Sequence, residues 1–343
     1  MPHSLREDAH AVLFPAFDGV TLSDAMRGYL DQGGVSILLG ESRSEYVARQ
    51  MSDARRAQET AASFAGVTEE ARRRSGLLLA AVDQELGGIC RLHDLVPQFP
   101  PRSELARVTA DLIAGRAKAV AETAAGFGIN LFLSPVLDVL DGENAWLAGR
   151  TWSQSPETVA RLSSAYIRGV QAGGVAATAK HFPGFRSTTG DPAIDASAEC
   201  RTPIEAIRAG LAPFTAAISE GVEVVMVGPA IVRAIDPTVA ALRSAKVVRM
   251  LKDQLGFKGL VMADDLDSHA TLRGDTVATV AIDALNAGCD FLLLADIGTQ
   301  IPDLAAAILT AAENGKISRE ALAMSAAKVR ALATAYATQQ VAV

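Results

Sequence analysis

Histidine is scarce in this chain. His3, His10, His93, His181 and His269 are the only five in 343 residues, so imidazole chemistry has few sources. Aromatic residues make up 5%, and 32 basic residues face 39 acidic ones for a formal charge of −7. With no Lys/Arg block long enough to follow a phosphate backbone, nucleic acid is excluded as a partner. Cysteine is represented by Cys90, Cys200 and Cys289, an odd number, widely spaced and without a CxxC pair. That pattern excludes a disulfide framework and predicts reduced thiols. No apolar run approaches membrane-spanning length, and MPHSLREDAHAVLF interleaves charges with apolar residues where a signal peptide would need an apolar core. The expectation is a cytoplasmic protein with no membrane partner.

What the chain has in quantity is apolar residues, 49% of the total, alanine prominent among them, with a mean hydropathy of +0.21. Short apolar runs recur, each followed by a longer segment of helical period: Ala11 to Phe14, Gly34 to Leu39, Leu77 to Val82, Ile129 to Leu133, Val175 to Ala179, Val222 to Val227, Gly259 to Met262 and Phe291 to Leu294. Eight such units predict a single (β/α)8 TIM-type barrel, with a doubly wound open sheet as the alternative. Punctuation agrees with the helices. Ser155-Pro156-Glu157 reads as a cap with proline at the first helical position, and Thr202-Pro203-Ile204-Glu205 as a capping box. Gly173, Gly221, Gly256 and Gly288 stand where left-handed caps are wanted. No Ser/Gly-rich or Pro-rich linker divides the chain, so residues 1–343 read as one domain.

In such a barrel the C-terminal ends of the strands carry the chemistry, and the first polar residue after each run is the one to inspect. After the third run comes Asp83-Gln84-Glu85, then Gly87-Gly88 and Arg91. Asp138 follows the fourth run, with Arg150 further along its loop. The fifth ends at Lys180-His181 and the seventh at Asp264-Asp265. Carboxylates facing lysine, arginine and histidine suit sugar hydroxyls, which both donate and accept hydrogen bonds. Any one of Asp138, Asp265 or Asp267 could instead be a helix cap. Lys180 could be a structural ion pair or the Schiff-base amine of a barrel lyase.

Several motifs in order extend this reading: AVDQELGGICRL (81–92), SPVLDV (134–139), GRTWSQSP (149–156), AKHFPG (179–184) and LGFKGLVMADDLD (255–267). On these the chain resembles glycoside hydrolase family 3, in its single-domain β-N-acetylhexosaminidase branch, from about Val12 to Leu332. The resemblance implies a retaining glycosidase of peptidoglycan recycling that acts on a small carbohydrate and needs no cofactor or metal. It places the catalytic nucleophile on Asp264 and substrate binding on Asp83, Arg150, Lys180 and His181.

The departures fall in one place. The branch usually continues KHFPGHG and reaches an Asp-Ser-His triplet whose histidine is the general acid and base. Here the chain reads KHFPGFRSTTGDPAID. Phe185-Arg186 replaces the His-Gly, Asp191 matches the triplet's aspartate, Ala193 stands at the donor position, and a further histidine after the sixth strand is Pro229. The triplet Asp267-Ser268-His269 lies on the nucleophile's own loop and reads as coincidence. The donor is therefore either absent, leaving a catalytically impaired sugar-binding homologue, or replaced. Candidate replacements are Asp191, Asp195 or Glu199 on one mobile loop, with a carboxyl raised by apolar surroundings, or His269.

Overall fold

Each predicted apolar run forms a buried strand in the computed structural model, which describes residues 3–140, 142–295 and 300–337. The strands are β1 (Leu13–Asp18), β2 (Ser36–Gly40), β3 (Leu79–Val82), β4 (Leu131–Phe132), β5 (Ala176–Phe182), β6 (Val224–Val227), β7 (Leu260–Ala263) and β8 (Phe291–Leu294). All eight are parallel, and each pairs with its sequence neighbours. The ring closes where Leu13 pairs with Leu292 and Phe14 with Leu293. Closure rules out the open-sheet alternative: the chain folds as a (β/α)8 barrel. Phe14 and Phe291 stack inside it with ring centroids 4.6 Å apart, and burial on both faces explains why the strands read as continuous apolar runs rather than alternating ones.

Ser155 caps helix Pro156–Ala172 through the Thr158 N–H, as its sequence predicts. Two other local readings need correction. Helix Ile204–Ala209 has Pro203 at its cap position and no side-chain capping bond, so Thr202 does not form the predicted box. Gly221, Gly256 and Gly288 have positive φ, but Gly173 does not; the left-handed residue there is Gly174, at φ 82°. Gly173 is needed for a different reason: a Cβ on it would lie 2.6 Å from the Ala121 Cβ of the neighbouring helix.

The long connection after β5 is anchored, contrary to the expectation of a mobile loop. Asn144 Nδ2 donates to the Phe185 carbonyl at 2.7 Å. Further along, Glu199–Cys200 pairs with Ile231–Val232, which pairs in turn with Asp236–Ala240 in a small separate sheet. Between these anchors, the Ala270 N–H donates to the Pro192 carbonyl at 3.0 Å, tying the loop after β5 to the loop after β7. Among the described residues no helix is long and apolar enough to cross a membrane.

Candidate active site

The C-terminal ends of the strands surround a cavity of about 380 Å3, lined by Asp83, Arg150, Lys180, His181 and Asp264 together with Glu41, Glu85, Trp146, Ala193, Pro229 and Asp265. The barrel thus brings five of the predicted site residues into one opening. Asp191, the sixth, lies outside that lining. One wall is an ion-pair network. Lys180 Nζ donates to Asp83 Oδ1 at 2.6 Å and approaches Glu85 Oε1 at 2.8 Å. Arg150 grips Glu85 with Nε at 3.0 Å and Nη2 at 2.7 Å. Burial disfavours every charge here, but the neighbours prevail. Asp83 and Glu85 hold the Lys180 ammonium above the ordinary lysine range, while Arg150 and Lys180 hold Glu85 below the ordinary carboxylate range. Arg150 Nη1 has no hydrogen-bond partner in this buried network, which leaves a donor for a ligand.

His181 follows a slip in the pairing register of β5, between Lys180 and Phe182. Such an irregularity re-aims side chains, and both Lys180 and His181 turn into the cavity. Asp138 then fixes the imidazole: its Oδ2 accepts from the His181 backbone N–H at 3.0 Å and from Nδ1 at 2.8 Å, and its Oδ1 accepts from the Phe185 N–H at 2.7 Å. Asp138 is therefore not a helix cap. Trp146 packs against both the His181 ring and Phe185, with centroids 4.5 and 5.3 Å away. Phe185 is fully buried there. His181 Nε2 points toward Asp264 Oδ2 at 3.9 Å.

Asp264 follows β7 and is nearly buried. Burial raises its pKa, and His181, the Asp265 N–H, Lys180 and Arg150 partly counter the rise. Asp265 beside it is pushed well above the ordinary carboxylate range, by burial and then by the charges of Asp264 and Asp267. Neither Asp265 nor Asp267 caps the next helix; Ser268 does. Glu41, the first residue beyond β2, is raised to about 8 by burial and by Asp83. Sequence reasoning passed over Glu41, although the same search for the first polar residue after a run, applied to the second run, ends on it.

None of the suggested replacement donors lines the cavity. Asp191 accepts from the Ala193 N–H at 3.0 Å and meets Arg49 at 3.5 Å. Asp195 binds Ser197, and Glu199 binds Arg233 and Arg201. Both have lowered pKa values, from these hydrogen bonds, which is opposite to the elevation a proton donor would need. His269 is exposed, with Nδ1 3.0 Å from the Ile194 carbonyl. Ala193 and Pro229 do line the cavity, and neither side chain carries a proton to give. Among the described residues, no group of three or more histidine, cysteine or acidic side chains is placed to hold a metal ion.

Comparison with known proteins agrees with this architecture. Residues 30–332 match the glycosyl hydrolase family 3 N terminal domain. A beta-hexosaminidase of Xanthomonas oryzae pv. oryzae is 32% identical over 253 residues, covering 71% of this chain and 74% of the relative. One from Nitrosomonas eutropha is 31% identical, covering 69% of each. Among solved structures, the family 3 beta-N-acetylglucosaminidase of Paenibacillus sp. superposes with a TM-score of 0.88 at 28% identity, covering 98% of this chain, which spans 63% of that longer one. The beta-N-acetylhexosaminidase of Beutenbergia cavernae superposes with a TM-score of 0.84 at 25% identity, covering 97% of this chain and 99% of its own. Over most of its length, then, this chain belongs to glycosyl hydrolase family 3.

Proposed function

We propose that the protein is a retaining glycosidase acting on β-linked N-acetylglucosaminides or closely related sugars, with Asp264 as nucleophile and without the usual histidine proton donor. The observation that carries this reading is that Asp264 lines the same cavity as the Lys180, Asp83, Glu85 and Arg150 network. Hydroxyls of a sugar held on that wall would donate to Asp83 and accept from Arg150 Nη1 and Lys180, presenting the anomeric carbon to Asp264. The carboxylate attacks there to form a glycosyl-enzyme, and water resolves it with net retention. His181, held by Asp138, lies close enough to Asp264 to favour its ionised, nucleophilic form.

A second reading, a sugar-binding homologue of impaired activity, is favoured by Ala193 and Pro229 at the cavity wall. Turnover separates the two. Asp264→Asn should abolish cleavage of a dinitrophenyl β-N-acetylglucosaminide while N-acetylglucosamine binding, followed by calorimetry, persists; a 2-deoxy-2-fluoro sugar should label Asp264. Labelling at Asp265 would refute the assignment, and binding without any turnover in the unmodified protein would establish the second reading.

A further inference from the structure

Proton donation from one of the four residues suggested by sequence would require a carboxyl or imidazole at the cavity, and none of them reaches it. Three acids line the cavity without serving the Lys180 and Arg150 network or the nucleophilic role: Glu41, Asp265, and Asp18, which is paired with Arg55. They sit at different places. Glu41 lies beside Asp83, Lys180 and Glu85, whose charges it feels, so it belongs to the wall that would hold the sugar's hydroxyls. Asp265 adjoins Asp264, and its N–H donates to Asp264 Oδ1 at 2.8 Å. It is more exposed than Asp264, as a group that meets a leaving group at the cavity mouth would be.

The two loops at that mouth are joined. Ala270 N–H donates to the Pro192 carbonyl at 3.0 Å, and His269 Nδ1 lies 3.0 Å from the Ile194 carbonyl. These contacts flank Ala193 and draw it, on the loop where the family's donor would stand, against the loop that carries Asp265. Two adjacent carboxyls in one dry site divide their roles when their environments push their proton affinities apart.

We propose that Asp265 is the proton donor of this enzyme, acting from the β7 loop into the space left at Ala193. The proposal rests on the glycosidase reading above. As Asp264 attacks the anomeric carbon, the bond to the leaving oxygen breaks, its electron pair stays on that oxygen, and the Asp265 carboxyl delivers its proton there. Asp265 is left as a carboxylate, which takes a proton from the water that attacks the glycosyl-enzyme, so both carboxyls return to their starting states. The groups facing Asp265 suit the role. Asp264 and Asp267 on its own loop and Asp83 beyond β3 favour its protonated form, and Arg43 beyond β2 opposes them without prevailing. Asp18 and Glu41 share the cavity lining and add acidic neighbours.

The test compares a dinitrophenyl β-N-acetylglucosaminide, whose leaving group needs no proton, with N,N′-diacetylchitobiose, whose leaving group does. Asp265→Asn is expected to lower kcat/KM for the disaccharide by about 10²- to 10⁴-fold, to change that for the dinitrophenyl glycoside by no more than about tenfold, and to remove the alkaline limb of the disaccharide pH profile. In Asp265→Ala, azide should yield the β-glycosyl azide, because a small anion then attacks where the base-activated water did. Asp265→Glu should retain part of the disaccharide activity and serves as the folding control. Equal losses on both substrates, no loss on the disaccharide, or the same split produced by Glu41→Gln would overturn the proposal. If the unmodified protein cleaves the dinitrophenyl glycoside and not the disaccharide, no donor exists and this inference fails alone. If it cleaves neither, the glycosidase reading itself fails.

Discussion

Glu85→Gln isolates the group on which the charged wall depends. Glu85 is 1% exposed and receives Arg150 at 3.0 and 2.7 Å and Lys180 at 2.8 Å. The loop is closed tightly over it: a Cβ on Gly88 would fall 1.8 Å from Glu85 Oε2, so water has no room to replace the lost charge. The glutamine amide would present a donor to two cations. Removing one partner from a buried ion pair costs about 3–5 kcal/mol, because the remaining charge is left uncompensated. At about 2 °C per kcal/mol for a chain of this size, the melting temperature should fall by roughly 6–10 °C. Circular dichroism melts and urea midpoints at constant m value measure it. Combining the change with Lys180→Met removes one cation along with the anion, so the double variant should lose at least about 1 kcal/mol less than the sum of the singles. A shift under about 2 °C for Glu85→Gln, or simple additivity, would refute the coupled network.

Three further outcomes follow from the same geometry. Glu41, raised to about 8 against about 4.3 for a free glutamate, must take up a proton on folding between those values, so the native state loses stability as pH rises through that window; Glu41→Gln should become relatively more stable, by at most about 4 kcal/mol at pH 7, and a pH-independent difference between the two proteins would contradict this. The nucleophile acts ionised and its pKa is raised by burial, so kcat/KM for the dinitrophenyl glycoside should fall on acidification with a midpoint above the ordinary aspartate value of about 3.9, and a rate flat down to pH 4 would refute it. Gly169→Ala should cost about 1–3 kcal/mol, read from urea midpoints, since its Cβ would sit 2.2 Å from the Ala114 carbonyl oxygen of the adjacent helix; unchanged stability would mean the helices separate freely.

The barrel was legible because its strands are buried on both faces and its helices end on capping residues, both of which leave local marks in the chain. The shared placement of Asp83, Lys180, His181 and Asp264 was legible for a related reason: polar groups at the ends of buried strands are delivered to one rim by the topology, whereas Arg150, far along its loop, was marked by its motif. Pairing was less legible. Glu85 reaches Lys180 and Arg150 because the segment after β3 folds back on itself, with Glu85 N–H bonded to the Ile89 carbonyl and Arg91 N–H to the Asp83 carbonyl, both at 2.8 Å, and nothing in DQELGG announces which acid turns inward. Asp138 could not be told from a cap because its partner, the His181 backbone, is brought to it by the irregular end of β5. The donor question was the least legible of all. The sequence marks the empty position at Ala193, but the acid we propose for that space comes from another loop, joined to it by the Ala270 N–H at the Pro192 carbonyl and by the His269 ring at the Ile194 carbonyl, contacts that only the tertiary fold creates. A missing side chain can therefore be located by pattern, whereas a substitute has to be sought where the fold brings two distant loops together.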